Sequence, residues 1–173
     1  MKHNIGHGDH GQSSSPFGSL GKNDIYFELL GGLDELSAHI GFLTTNLDNL
    51  PTQKVQLSEI LKDIRSISSD LALATPHTNF DIRRLKLLEN WLDAMEKELP
   101  PIKSFLLPLG HRSSSYAHLV RTVTRRVERT YFRTIEVHHV DGDGAIYLNR
   151  LSDYFFALAR YINHYYGSED IVG

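Results

Sequence analysis

Tyr116-Ala117-His118-Leu119-Val120-Arg121-Thr122-Val123-Thr124-Arg125-Arg126-Val127-Glu128-Arg129-Thr130-Tyr131-Phe132-Arg133 is the stretch on which the fold turns, because one helical repeat here carries five arginines. Leu119, Val120, Val123, Val127 and Tyr131 recur at intervals of three and four, the pattern of an amphipathic helix with a buried stripe. Arg121, Arg125, Arg126, Arg129 and Arg133 fall on the remaining arc. Like charges four apart on a helix repel by roughly a few tenths of a kcal/mol per pair, and within the central turns only Glu128 offsets them. Two readings are open for such a face, a solvated charge run or a clamp for a phosphate chain.

The rest of the chain repeats the helical period. Asn23 or Asp24 is a cap for a helix through Leu29, Leu33, Leu36, Ile40 and Leu43, in which Gly31 and Gly32 each cost up to about 1 kcal/mol, so something approaches closely there. Leu57, Ile60, Leu61, Ile64, Ile67 and Leu71 predict a second helix over about 53–74, and Leu85, Leu88, Leu92 and Met95 a third over about 81–99, ended by Pro100-Pro101. Ile102 to Arg112 is a loop, and Ser113 or Ser114 caps the arginine helix. Asp141-Gly142-Asp143-Gly144 is a turn, followed by a fifth helix through Leu148, Leu151, Phe155, Leu158 and Ile162. No strand alternation competes. The expectation is an all-α, five-helix up-and-down bundle in a single domain over 1–173, with the bundle in 23–166 and a glycine-rich loop in 1–22. Six aromatics on the fifth helix, Tyr154, Phe155, Phe156, Tyr161, Tyr165 and Tyr166, exceed what one bundle core needs and point to an oligomer interface.

Composition narrows the function. The 173 residues are 40% hydrophobic with a formal charge of -3, which argues against a nucleic-acid binder and makes the arginines a local device on a mildly acidic protein. Without cysteine there is no disulfide framework or thiolate metal site. No apolar run long enough to span a bilayer and no signal-peptide core occur, so a soluble, cytoplasmic protein without a membrane partner is expected. The start, Gly6-His7-Gly8-Asp9-His10-Gly11-Gln12-Ser13-Ser14, can turn backbone amides and hydroxyls toward an anion but lacks the Gly-Lys-Ser ending of a Walker loop, and by composition alone it reads as a mobile tail. His3, His7 and His10 pose a metal-site question, but without a carboxylate pattern or a helical spacing they read as tail residues. On the fifth helix Arg150 and Asp153, three apart, can simply pair, and Asp34 or Glu35 of the first helix can meet an arginine of the fourth.

Taken in order, Gly8-Asp9-x-Gly11, Gly32-Leu33-Asp34-Glu35-Leu36-Ser37, Lys103-Ser104-Phe105-Leu106-Leu107-Pro108, His118-Leu119-Val120-Arg121-x-x-x-Arg125-Arg126-Val127-Glu128-Arg129 and Tyr147-Leu148-Asn149-Arg150-Leu151-Ser152-Asp153 resemble the propanediol-utilisation type of ATP:cob(I)alamin adenosyltransferase across nearly the whole chain. The resemblance implies a five-helix bundle in a homotrimer with sites between subunits. It also implies transfer of the 5′-deoxyadenosyl group of ATP, bound with Mg2+, to the cobalt of cob(I)alamin, with release of triphosphate and delivery of the product to an adenosylcobalamin-dependent enzyme. By the same resemblance Arg125, Arg126, Glu128, Arg129 and Asn149 contact the nucleotide, Arg125 foremost at the polyphosphate, together with Gly6, His7, Gly8, Asp9, Ser13, Ser14 and Lys22 of the loop. Asp34 and Arg121 match a pair bridging subunits, and Phe105 the aromatic that helps exclude the lower axial base from cobalt. The metal ligands are left open. The loop departs from the family pattern: Ile5-Gly6-His7-Gly8-Asp9 lacks two hydroxyls and a cation, and Gly18-Ser19-Leu20-Gly21-Lys22 lacks an arginine. Three altered contacts at about 1–3 kcal/mol each would weaken ATP binding by orders of magnitude, and the second reading is a non-catalytic relative that binds corrinoid or nucleotide.

Overall fold

The computed structural model describes residues 6, 8–73, 79–102 and 104–173. Five helices form the body: α1 (Ile25–Thr45), α2 (Pro51–Leu73), α3 (Arg84–Glu96), α4 (Arg112–His138) and α5 (Asp143–Tyr165), preceded by a hairpin of β1 (Gln12–Ser15) and β2 (Gly18–Gly21). The all-α bundle expected from the apolar period is therefore present.

Each helix begins and ends for a local reason. Asp24 caps α1 by accepting from the Tyr26 amide, and Pro51 opens α2 at the first helical position, where its missing N–H costs nothing. The cap of α4 is His111, whose ring accepts from Ser113 N, rather than either of the two serines; Ser113 instead donates its hydroxyl to Asn46 O, and Ser114 is buried. α4 stops where His139 takes a left-handed conformation, φ 54°. α3 is shorter than its apolar period, because Asp81 accepts from Arg83 N in a turn before it and a second turn follows Glu96 ahead of the two prolines.

α5 is the central helix, with 14 of its 23 residues buried, since α3 packs on one side and α4 on another. That placement takes up part of the aromatic excess: Tyr154 and Phe155 are fully buried inside this chain, whereas Phe156, Tyr161 and Tyr166 are half-buried and Tyr165 is exposed. Paired polar groups accompany the apolar core. Asp63, 6% exposed, accepts from Arg84 Nε at 2.7 Å and from the Tyr147 hydroxyl at 2.8 Å, and Tyr154 donates to Gln56 Oε1 at 2.9 Å. Burial holds the Tyr147 and Tyr154 phenols well above their ordinary range.

The seams beside α4 are close. A Cβ on Gly32 would stand 3.2 Å from Val127 Cγ2, so the approach expected at the double glycine is that of α4 to α1, whereas Gly31 faces open space. Leu119, read as part of the buried stripe, is 44% exposed, because α4 turns Val120 and Val123 inward instead.

The hairpin contradicts the expectation of an unstructured start without strands. Gln12 pairs with Gly21 and Ser15 with Gly18 around a Pro16-Phe17 turn, in which Phe17 N donates to Ser15 Oγ at 3.1 Å and Gly18 adopts φ 102°. Proline presets the turn and glycine permits its positive φ, so turn chemistry builds strands that a serine and glycine pattern does not announce. Phe17 stacks on His138 with centroids 4.6 Å apart and meets Tyr26 edge-on at 5.5 Å, while His138 Nε2 lies 2.7 Å from Asp24 Oδ1.

Gly144→Ala should lower stability by about 1–2 kcal/mol despite the better helix propensity, since the new methyl would lie 2.7 Å from the Tyr131 ring; the urea midpoint should fall with its slope unchanged. The Tyr26 amide, and with it His138, hold the Asp24 carboxyl below its ordinary value of 3.8. Its contribution is complete above that value and is lost as the pH falls through the lowered one, so the stability gap between the wild type and Asp24→Asn should close as the pH falls below about 3.8. Denaturant titrations across that range measure it.

Candidate functional site

The arginines of α4 divide into two groups. Arg126 is paired with Glu35, and Arg133 Nη2 lies 3.3 Å from Glu28 Oε1, so two carboxylates of α1 neutralise the α1-facing arginines. Arg121, Arg125 and Arg129 have no acidic partner among the described residues, although Arg129 Nη1 donates to Arg125 O at 2.9 Å. The relief that the sequence located at Glu128 is thus supplied by Glu35 and Glu28; Glu128 instead accepts from Asn149 Nδ2 at 2.7 Å.

Arg121 and Arg125 line a cleft of about 340 Å³ with Arg150, Ser152, Asp153 and Phe156 of α5 and Leu92 and Glu96 of α3. The Arg121 guanidinium carbon lies 5.9 Å from the Phe156 ring centroid, and burial followed by the neighbouring Arg125 lowers its affinity for its proton. Arg150 pairs with Asp153 at 3.1 Å, as its spacing suggested, and also reaches Glu89 at 3.3 Å. Three successive turns of α4, at Ser114 Oγ, His118 Nδ1 and Arg121 Nε, carry buried polar atoms without a hydrogen-bond partner among the described residues. Burial and Arg121 push the His118 imidazole toward its neutral form.

The loop residues gather separately. Asp9 N donates to Gly6 O at 3.2 Å and Gly11 N to Gly8 O at 3.1 Å, giving two tight turns, and a Cβ on Gly8 would stand 2.5 Å from Lys22 Nζ, so the lysine crosses directly over that glycine. Ser13 and Ser14 lie on β1 and make no side-chain hydrogen bond among the described residues. His7 and His3 lie outside the described residues, and no group of three metal-ligating side chains occurs among those that are described.

The structure thus brings together Glu128 with Asn149, Arg121 with Arg125, and Gly8 with Lys22. It does not bring Asp34 to Arg121 within one chain: Asp34 is exposed and in no ion pair among the described residues. Phe105, on the loop between α3 and α4, is 94% exposed, an unusual position for a large aromatic. Sequence reasoning missed the roles of Phe17 and His138; a lone phenylalanine in a serine and glycine loop was the available signal. It also missed Arg160 and Asn163, two polar residues at buried positions of α5.

Residues 4–162 match the profile of the cobalamin adenosyltransferase family. The corrinoid adenosyltransferase MMAB of Mus musculus is 40% identical over 94% of this chain and 73% of its own length. The corrinoid adenosyltransferase of Bacillus subtilis (strain 168) is 34% identical over 95% of this chain and 88% of its own. A variant of the PduO-type ATP:corrinoid adenosyltransferase from Lactobacillus reuteri, solved in complex with cobalamin and ATP, superposes with a TM-score of 0.92 at 31% identity, covering 99% of this chain and 96% of that one. On these similarities and the shared five-helix architecture, the chain belongs to the cobalamin adenosyltransferase family.

Proposed function

We propose that this protein is a corrinoid adenosyltransferase, which moves the 5′-deoxyadenosyl group of ATP to the cobalt of cob(I)alamin and releases triphosphate. The observation that carries the reading is the sorting of the arginines: Arg126 and Arg133 are neutralised by α1, while Arg121, Arg125 and Arg129 keep their charge for a ligand. In the transfer, cob(I)alamin supplies the electron pair for the new bond from cobalt to C5′, and the broken C5′–O bond leaves its pair on the triphosphate. Cobalt is the nucleophile, so no general base is required, and the protein's tasks are positioning and stabilising the leaving charge.

Arg125 and Arg129 would meet the polyphosphate through their planar forks of donors, and Glu128 and Asn149, already joined, would orient the nucleoside. Gly6, Gly8, Asp9, Ser13, Ser14 and Lys22 would close over the triphosphate from the hairpin side. The altered loop is a formed element anchored through Phe17, which favours the catalytic reading over a degenerate one. Mg2+ would be held chiefly by phosphate oxygens, with Asp9 as the loop's carboxylate, and supplies charge neutralisation at the leaving group. Phe105 would occupy the lower face of the corrinoid. We further place the site between protomers of a cytoplasmic homotrimer, with the product passed to an adenosylcobalamin-dependent enzyme. Asp34, exposed and in no ion pair among the described residues, supports a bridge between subunits.

Purified protein given ATP, Mg2+ and chemically reduced cobalamin should form the light-sensitive adenosyl product and triphosphate; a folded protein that forms neither ends this reading. Arg125→Ala should lower kcat/KM for ATP by about 10- to 100-fold, the loss of a charge-assisted contact, with ATP affinity falling in calorimetry. Phe105→Ala should leave ATP affinity unchanged and depress turnover of cobalamin.

A further inference from the structure

Phe105 stands on an irregular loop, and an exposed aromatic on such a loop would lose its position to conformational entropy unless the backbone were tied. Three groups from beyond the loop tie it. Arg160, only 6% exposed, donates from Nη2 to Pro100 O at 2.6 Å, where the loop begins, and from Nε to Asp170 Oδ2 at 2.7 Å. Asn163, one helical turn on, holds the other end: its Nδ2 donates to Leu109 O at 3.1 Å and its Oδ1 accepts from His111 N at 3.0 Å. The same Nδ2 lies 3.3 Å from Asp170 Oδ1. Gly110 makes this approach possible, since a Cβ there would stand 2.4 Å from Asn163 Oδ1.

Asp170 is thereby fixed from two sides, and the segment after it runs as a short antiparallel strand along the loop. Leu106 bridges Val172, Leu107 N donates to Ile171 O at 2.8 Å, and Gly173 N donates to Phe105 O at 3.0 Å. The last of these fastens the carbonyl of Phe105 itself.

We propose that Arg160, Asn163 and Asp170 are positioning residues that clasp both ends of the Phe105 loop and seat residues 171–173 against it, so that the clasp sets how completely Phe105 keeps the lower axial base off cobalt. The inference rests on the functional reading above. None of the three is required to touch a substrate: their effect passes through the backbone on either side of Phe105. Arg160 reads the first end and Asn163 the second, and Asp170 couples the two, so weakening the shared carboxylate loosens the loop without removing an ATP contact.

The test compares two corrinoids, cobalamin and cobinamide, the latter having no lower base to exclude. In Asp170→Asn, kcat with cobalamin should fall about tenfold or more, with KM for ATP within about twofold of wild type. Activity with cobinamide should stay within about twofold, and the four-coordinate fraction of ATP-bound cob(II)alamin, read by electron paramagnetic resonance, should fall with kcat. Equal losses on both corrinoids, or an unchanged four-coordinate fraction, would overturn the proposal. If Asp170→Asn does not fold, Gly173→Pro decides, because it removes the amide proton given to Phe105 O and leaves the buried ion pair in place; it should show the same selective loss in smaller measure, and indifference to it overturns the clasp. Wild-type protein inactive with both corrinoids would refute the functional reading itself, a result distinct from a variant that fails to discriminate between them.

Discussion

The contact of Val127 with Gly32 fixes the rotation of α4 against α1, and the chemistry of the face depends on that rotation. With Val127 toward α1, residues 126 and 133, seven apart and hence on one side of the helix, come beside Glu35 and Glu28. Residues 121 and 125 are carried to the α5 side, where Arg121 lies over the Phe156 ring and neither arginine is in an ion pair among the described residues. A helix with five like charges could not be left wholly uncompensated, and one wholly compensated would have nothing to offer an anion. The packing of one small residue against one branched residue divides the charges between those outcomes.

The apolar period was enough to make five helices legible, because a stripe such as Leu29, Leu33, Leu36, Ile40 and Leu43 has a single geometric meaning. Ends were harder. His111 outcompetes two serines as a cap because Asn46 claims one hydroxyl and packing buries the other, a tertiary preference that no local pattern carries. The hairpin was hidden because its strands lack alternation and are defined by the Pro16 to Gly18 turn and by Phe17 docking on His138, a residue more than a hundred positions away. At the site, residue types and spacing pointed to an anion but could not say which arginines were already satisfied. That depends on α1 carboxylates whose reach is set by a helix crossing. Of the aromatics on α5, Tyr154 and Phe155 belong to the core of this chain, while Tyr165 is exposed and Phe156 lines the cleft.

The polar groups in the interior follow the same economy as those at the surface. Asp63 satisfies both Arg84 and Tyr147, so one buried carboxylate joins α2, the start of α3 and α5. Removing either donor would leave the carboxylate short of a partner in a setting where unpaired charge is costly. By contrast, the buried polar atoms at Ser114, His118 and Arg121 have no such partner among the described residues, and of these three residues Arg121 lines the cleft. Satisfied polar groups such as Asp63 hold the bundle together.

His138 serves two elements at once: its edge meets the carboxylate that caps α1, and its face receives Phe17 from the hairpin. The first turn of α1 and the order of the hairpin are therefore linked equilibria. A molecule that binds the closed hairpin gives part of its binding free energy to the end of a helix that it never touches, and any change that frays that end lowers the apparent affinity for the molecule by the same coupling. Resistance to unfolding and saturation by ligand are then two readings of one thermodynamic quantity.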